Sequence, residues 1–300
     1  MRHQTLDRRL ANCQTKVKPW LFLSPAIILL CLVIVFPIFK VIEFSFHENM
    51  FNAADPAFIG FKNYLAVIRD SRFTQMLVFT LIFTLGSVLL HVICGLLFAV
   101  MLNTRINPRA LAVYRVIFVL PWVFTAAIVA LVWQLMLTPQ GVINALLSVF
   151  LQKPVAIEWL ADPKLAIFSL LMINAWRGYP TCMVSFLAGL QNIPLDMYEA
   201  ADMDGASKLR QFFSLTIPQL KPVILSVSLL DGIWTMNLFP LIWLTTGGGP
   251  QGVTESIATF TYRLSFTEFQ FGHASAMAVI GLILTLTFVL FYLRAQKTTG

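Results

Sequence analysis

Six stretches of this chain are almost wholly apolar and long enough to cross a bilayer: Trp20 to Phe39, Met76 to Leu102, Val116 to Leu137, Leu165 to Leu187, Val223 to Leu244 and Ala274 to Leu293. A hydrocarbon core about 30 Å thick demands roughly 20 apolar residues of a helix that spans it. Backbone groups left unpaired in lipid cost several kcal/mol each, and the runs lack the ten-residue alternation of a membrane barrel. The expected fold is therefore all-α, an integral membrane protein of six transmembrane helices. Composition agrees, with 58% hydrophobic and 12% charged residues, where soluble domains carry about 25% charged. Only Arg177 and Asp231 put charge inside the runs.

The first run follows Arg2, Arg8, Arg9, Lys16 and Lys18. Its apolar stretch exceeds that of a signal peptide and no clear small-x-small site follows, so it reads as a retained span. Three of the four cysteines, Cys31, Cys94 and Cys182, fall inside runs and Cys13 precedes them; they read as small apolar residues, with no disulfide framework or metal signal. Basic residues bias segments to the cytoplasm. With both termini inside, thirteen Lys and Arg fall on inner segments and seven on outer ones, Arg177 completing the 21. The net charge of +7 then follows from orientation and requires no nucleic acid.

The outer segments are too apolar for plain linkers. Asn63 to Arg72 reads as a short interfacial helix, and Val142, Leu146, Val149 and Phe150 have helical spacing after Pro139-Gln140-Gly141. The inner segment from Ala188 to Pro222 reads as a helical hairpin. Pro194 suits a first turn, Asp196 and Glu199 favour its dipole, and Gly205 permits a sharp reversal. Ser207 caps a second helix on which Leu209, Phe212, Phe213 and Thr216 form a greasy face, expected to end at Pro218 and Pro222. A face of that kind must be covered by this protein's own helices or by a partner.

Glu199-Ala200-Ala201, Asp204-Gly205-Ala206, Leu215-Thr216-Ile217-Pro218 and Pro222 resemble the EAA loop of binding-protein-dependent ABC importer permeases. Leu23-Ser24-Pro25-Ala26, the segment Phe58 to Tyr64 and Thr245-Thr246-Gly247-Gly248-Gly249-Pro250 are similar to the carbohydrate branch, in its first permease subunit. Pro240 departs from that pattern, where an aspartate is common. The resemblance implies a type I importer permease in a bacterial inner membrane. Its tails would be 1–19 and 294–300, its six-helix domain 20–293, its core 76–293 and its coupling loop 188–222. It implies a second homologous permease, two ATPase subunits, an extracytoplasmic solute-binding protein and a carbohydrate substrate. The chain itself would be no enzyme and bind no cofactor, with ATP and Mg used by the partner ATPase. Glu199, Ala200, Ala201, Asp204, Gly205, Ala206, Leu209, Phe212, Phe213 and Pro218 would seat in the ATPase. The sequence has no phosphate-cradling G-x-x-x-x-G-K-[ST] of its own.

An arginine in mid-span costs roughly 2.5 to 3.5 kcal/mol unless it faces water or a partner. Asp231, at similar depth, is the expected salt-bridge partner of Arg177. Sugars take aromatic faces and amides, so Trp176, Arg177, Tyr179, Trp234 and Asn237 are the candidates for the substrate path. His91 reads as a packed neutral histidine, and Trp20, Trp122, Trp133 and Trp243 as headgroup-belt residues. The alternatives are a gradient-driven transporter, which needs more buried acids, and a membrane-embedded enzyme, for which no catalytic grouping is present.

Overall fold

The computed structural model describes residues 22–49, 56–104 and 107–297. The tail 1–19 with Cys13, and also Trp20, Arg105 and residues 298–300, lie outside the described residues. Twelve helices follow one another within them: α1 (Phe22–Ser45), α2 (Lys62–Arg69), α3 (Ser71–Leu102), α4 (Pro108–Val123), α5 (Ala126–Met136) and α6 (Val142–Leu151), then α7 (Pro163–Gln191), α8 (Leu195–Met203), α9 (Lys208–Met236), α10 (Pro240–Thr245), α11 (Ile257–Phe266) and α12 (Phe271–Lys297). No strand occurs among these residues; one isolated bridge joins His47 to Phe58.

Four helices, α1, α3, α9 and α12, are long and apolar enough to span a membrane, and α4 with α5 would make a fifth, bent by 92°. The fourth run is α7, 29 residues long, more mixed in composition because it is the most central helix. The third run therefore is not the straight helix that its hydropathy suggested. Pro121 weakens the last turn of α4, and the Thr125 side chain accepts the Ile128 N–H to start α5 in a new direction. The fifth run is also divided. α9 stops at Met236, and Pro240 opens the short α10, a first-turn position that suits its missing N–H.

Helix starts follow local chemistry. Asp70, Asn107 and Asp162 cap α3, α4 and α7, and Ser256 forms a capping box with Thr259 at α11. Pro218 and Pro222, expected to end the second hairpin helix, do not. A π turn over Phe212–Thr216 precedes Pro218, so proline enters as if at a fresh N-terminus and α9 runs on unbroken.

The most extensive contact joins α3 to α7, and it depends on missing side chains. A Cβ on Gly95 of α3 would come within 2.6 Å of Cys182 Cβ, and one on Gly178 of α7 would overlap the His91 ring. Small residues that let backbones approach are the usual means of helix association in lipid. The buried stripe of α3 sets Thr80, Thr84, Ser87, His91 and Gly95 among the large apolar Met76, Phe79 and Phe83, while Leu81, Leu85 and Leu89 face outward. α9 packs on α3 and α7, α12 on α1, α9 and α11, and α5 on α10. Most of α1, from Phe22 to Phe39, is exposed apolar surface, the surface a bilayer or a partner membrane subunit covers.

Candidate translocation cavity and exposed hairpin

Midway along α3, α7 and α9 lies a half-open cavity of about 200 Å³ with polar groups on its wall, lined by His91, Asn174, Arg177, Thr181, Asp231 and Trp234 among others. Trp122, from the last turn of α4, also lines it, which differs from the headgroup position expected for its indole. The cavity closes around one contact. His91, 1% exposed, places Nδ1 2.7 Å from Asp231 Oδ2 and Nε2 2.8 Å from the Asn174 carbonyl oxygen. Three helices thereby meet at a single imidazole.

The salt bridge expected between Arg177 and Asp231 is not formed. The two share the cavity, as their depths implied, but Asp231 is engaged by His91, and Arg177 Nε is buried with no hydrogen-bond partner among the described residues. Arg177 thus turns its charge to the cavity beside Trp234. The Asn174 side-chain nitrogen is likewise buried with no hydrogen-bond partner among the described residues. The other substrate-path candidates, Trp176, Tyr179 and Asn237, are not among the residues that line the cavity. Trp176 packs edge-on against Trp133, ring centroids 5.8 Å apart. Tyr179 donates to the Phe118 carbonyl at 2.9 Å and belongs to the apolar cluster below. Asn237 donates to the Ile233 carbonyl where α9 ends. Of the candidates named from the sequence, Arg177 and Trp234 line the cavity; Asn174 and Thr181, which also line it, and the bridging position of His91 were not singled out there. A polar stripe at helical spacing on α3, Thr80-Thr84-Ser87-His91, was the available signal.

Beyond the cluster under the cavity, α8 and the start of α9 form an exposed hairpin. Gly205 turns it at φ +71° with open space around its Cα, and Ser207 caps α9 through the Arg210 N–H. Glu199, Ala200, Asp204 and Gly205 are exposed, and Ala201 and Ala206 half-buried. The π turn splits the greasy face: Leu209 and Phe213 remain exposed, while Phe212 is half-buried and Thr216 turns inward to the Tyr198 hydroxyl at 2.9 Å. Asp202 ties the two arms, accepting from Lys208 at 2.8 Å and from Gln211 at 2.5 Å. Those hydrogen bonds, the lysine's first, hold its carboxyl below the ordinary range. Exposed Pro218 lines a groove with Met197, Ala201 and Arg210.

The opposite rim is also ordered by charge. Buried Glu255 pairs with Arg263 at 2.8 Å, and Arg263 Nη2 donates to the Gly247 carbonyl at 2.9 Å. Burial pushes the Glu255 carboxyl up and Arg263 opposes the shift. No group of His, Cys, Asp and Glu suited to a metal occurs among the described residues.

A polar cavity held within apolar helices is the architecture of a membrane permease. Residues 91–298 match the family described as binding-protein-dependent transport system inner membrane component, and the chain belongs to that family. It is 33% identical to a probable ABC transporter permease protein of Bacillus subtilis over 95% of this chain and 98% of the other. It is 34% identical to a trehalose/maltose transport system permease protein of Thermococcus litoralis, covering 93% of each, and 32% identical to a sulfoquinovosyl glycerol transport system permease protein of Agrobacterium fabrum, covering 93% and 90%. Its fold is similar to that of a chain in a bacterial ABC transporter involved in import of the acidic polysaccharide alginate, with TM-score 0.83 and 22% identity over 97% of this chain and 99% of the other.

Proposed function

We propose that the chain is the transmembrane permease subunit of an ATP-binding-cassette importer that carries a sugar or sugar-like solute through the cavity at Arg177, Asn174 and Trp234. Relatives whose names specify trehalose/maltose and sulfoquinovosyl glycerol support the solute class. The full assembly would contain a second homologous permease, two ATPase subunits and an extracytoplasmic solute-binding protein; the alginate transporter solved in complex with a pentasaccharide-bound periplasmic protein supports the last of these. In this reading six spans cross the inner membrane, α4 and α5 together forming the third and α9 with α10 the fifth, and both termini are cytoplasmic.

The observation that carries the proposal is the exposed α8–α9 hairpin with uncovered Leu209 and Phe213. It serves as the EAA coupling loop, seated in a partner ATPase that binds ATP and Mg, whereas this chain binds neither. Burying two large apolar side chains contributes a few kcal/mol, from about 1.5 to 3 kcal/mol each, and the Asp202 ties make the hairpin stiff enough to transmit the ATPase's closure to α7 and α9. The test is capture: the purified chain should retain its ATPase, and Gly205→Pro or Glu199→Lys should lose it with the bundle still folded. Solute uptake by vesicles free of any ATPase would overturn the proposal in favour of a gradient-driven carrier. The cavity is tested separately by Thr181→Trp, which should block uptake while leaving ATPase capture intact.

A further inference from the structure

Two atoms in the cavity wall are of one kind. Asn174 Nδ2 and Arg177 Nε are both buried with no hydrogen-bond partner among the described residues, and an amide nitrogen and a guanidinium nitrogen only donate. Asn174 itself is 2% exposed. Unpaired buried donors are costly, charged ones most of all, so native structures keep few of them and each asks for a reason. Here the two stand three residues apart on α7, with Gly178 and Thr181 continuing the same lining face.

The acceptors nearby are already engaged or out of reach. The Asn174 backbone carbonyl lies 2.8 Å from His91 Nε2. Asp231, the one carboxylate among the lining residues, holds His91 Nδ1 through Oδ2 at 2.7 Å and makes no ion pair with Arg177. Water meets such hydrogen bonds but not the charge. A sugar hydroxyl likewise accepts one hydrogen and leaves the guanidinium without a counter-ion between apolar helices. An oxyanion supplies both, because the Nε edge of a guanidinium fork takes two oxygens of one carboxylate, sulfonate or phosphate together. The Asp231 carboxylate on α9 repels such a group, which directs the acid to the α7 wall and leaves the solute's hydroxyls for the α9 wall. At about 200 Å³, below the roughly 300 to 1,000 Å³ of sites for drug-sized molecules, the cavity has room for one sugar unit.

We propose that the cavity takes a sugar unit bearing an oxyanion, which Arg177 and the Asn174 amide hold together. The assignment narrows the solute class proposed above and rests on reading the cavity as the solute's path.

The test is equilibrium binding to the assembled importer with its ATPases in lipid nanodiscs, with the solute-binding protein left out so that the selectivity read is that of the membrane part. Radiolabelled D-glucuronate, glucose 6-sulfate and glucose 6-phosphate are compared with D-glucose. At least one acidic probe should bind roughly tenfold to a hundredfold more tightly than glucose, the range of a hydrogen bond to a charged group, and Arg177→Gln should erase that margin. Asn174→Asp is the second variant. It sets a carboxylate one turn from Arg177 on the same face, so the margin should vanish while the melting temperature holds or rises, which separates lost binding from lost folding. Glucose bound as tightly as every acidic probe, no acidic probe bound at all, or a margin that survives either substitution would overturn the assignment. Failure of the charge assignment alone would leave uptake still blocked by Thr181→Trp, whereas failure of the path reading would show as uptake that survives Thr181→Trp, whatever the probes do.

Discussion

Gly178 shows how much of this molecule is decided by atoms that are missing. A methyl group there would overlap His91 Nε2, and a ring held on both nitrogens cannot swing aside without giving up a contact. Gly178→Ala should therefore cost about 1 to 3 kcal/mol, the usual penalty of overpacking, visible as a lower melting temperature of the purified chain. Gly205 supplies the contrasting case. Its surroundings are open, so a side chain would clash with nothing, yet φ is +71°. Gly205→Ala should cost about 1 to 2 kcal/mol through backbone strain alone, confined to the hairpin and read as faster proteolysis of Met203–Ser207 with the bundle intact. A melting temperature equally lowered by the two substitutions would contradict this separation. Both glycines stand in plain view in the sequence, but only Gly205 announced its role, because a turn is a local property and close approach to a histidine 87 positions away is not.

Elements differ in the same manner. The start and turn of the hairpin were legible because Asp196, Gly205 and Ser207 each act within one or two turns of themselves, whereas its expected end at Pro218 and Pro222 was not kept. The breaks at Thr125 and after Met236 were not legible, since an unbroken apolar run has no mark of direction and hydropathy registers composition, not axis. The Arg177–Asp231 pairing failed for a related reason: equal depth is readable by counting residues, whereas the rotation of α3 that brings His91 to Asp231 first is set by packing. Charge arrangements at the two ends carry predictions of their own. Asp202 has its carboxyl held down by Lys208 and Gln211, so its contribution to the hairpin is present above the ordinary carboxylate range, near pH 4, and is lost as pH falls through the lowered value. The opening of α8, read as amide protection corrected for the intrinsic exchange rate at each pH, should thus be level at neutral pH and rise only in acid, while Asp202→Asn raises it at every pH. At the end of the bundle away from the hairpin, Arg263→Ala would leave Glu255 buried and unpaired and release the Gly247 carbonyl. A loss of about 3 to 5 kcal/mol is expected for a broken buried pair, with new cleavage in the Gly247–Gly252 loop as the sign; an unaltered loop would mean the pair is ornamental.

At the scale of the whole chain, the bundle keeps apolar clusters inside but sets its few buried polar groups there too, and turns greasy side chains outward where a soluble protein would place charge. Leu81, Leu85 and Leu89 look outward from α3 while Thr84, Ser87 and His91 look inward, and Arg177 faces a cavity in place of lipid. Depth alone therefore does not determine what a charge costs; the side of the helix on which it falls does. Leu85→Asp places a carboxylate near the middle of α3 on its outer face, where insertion scales assign about 2.5 to 3.5 kcal/mol. Thr181→Asp places the same group on α7 beside Arg177, where an opposite charge already waits without a partner. The first variant should enter the membrane poorly and the second nearly as well as the unmodified chain, measured as the membrane-integrated fraction of newly made protein. If both were inserted alike, the cavity would be no wetter or more polar than the outer face, and the path assigned to the solute would lose its physical basis.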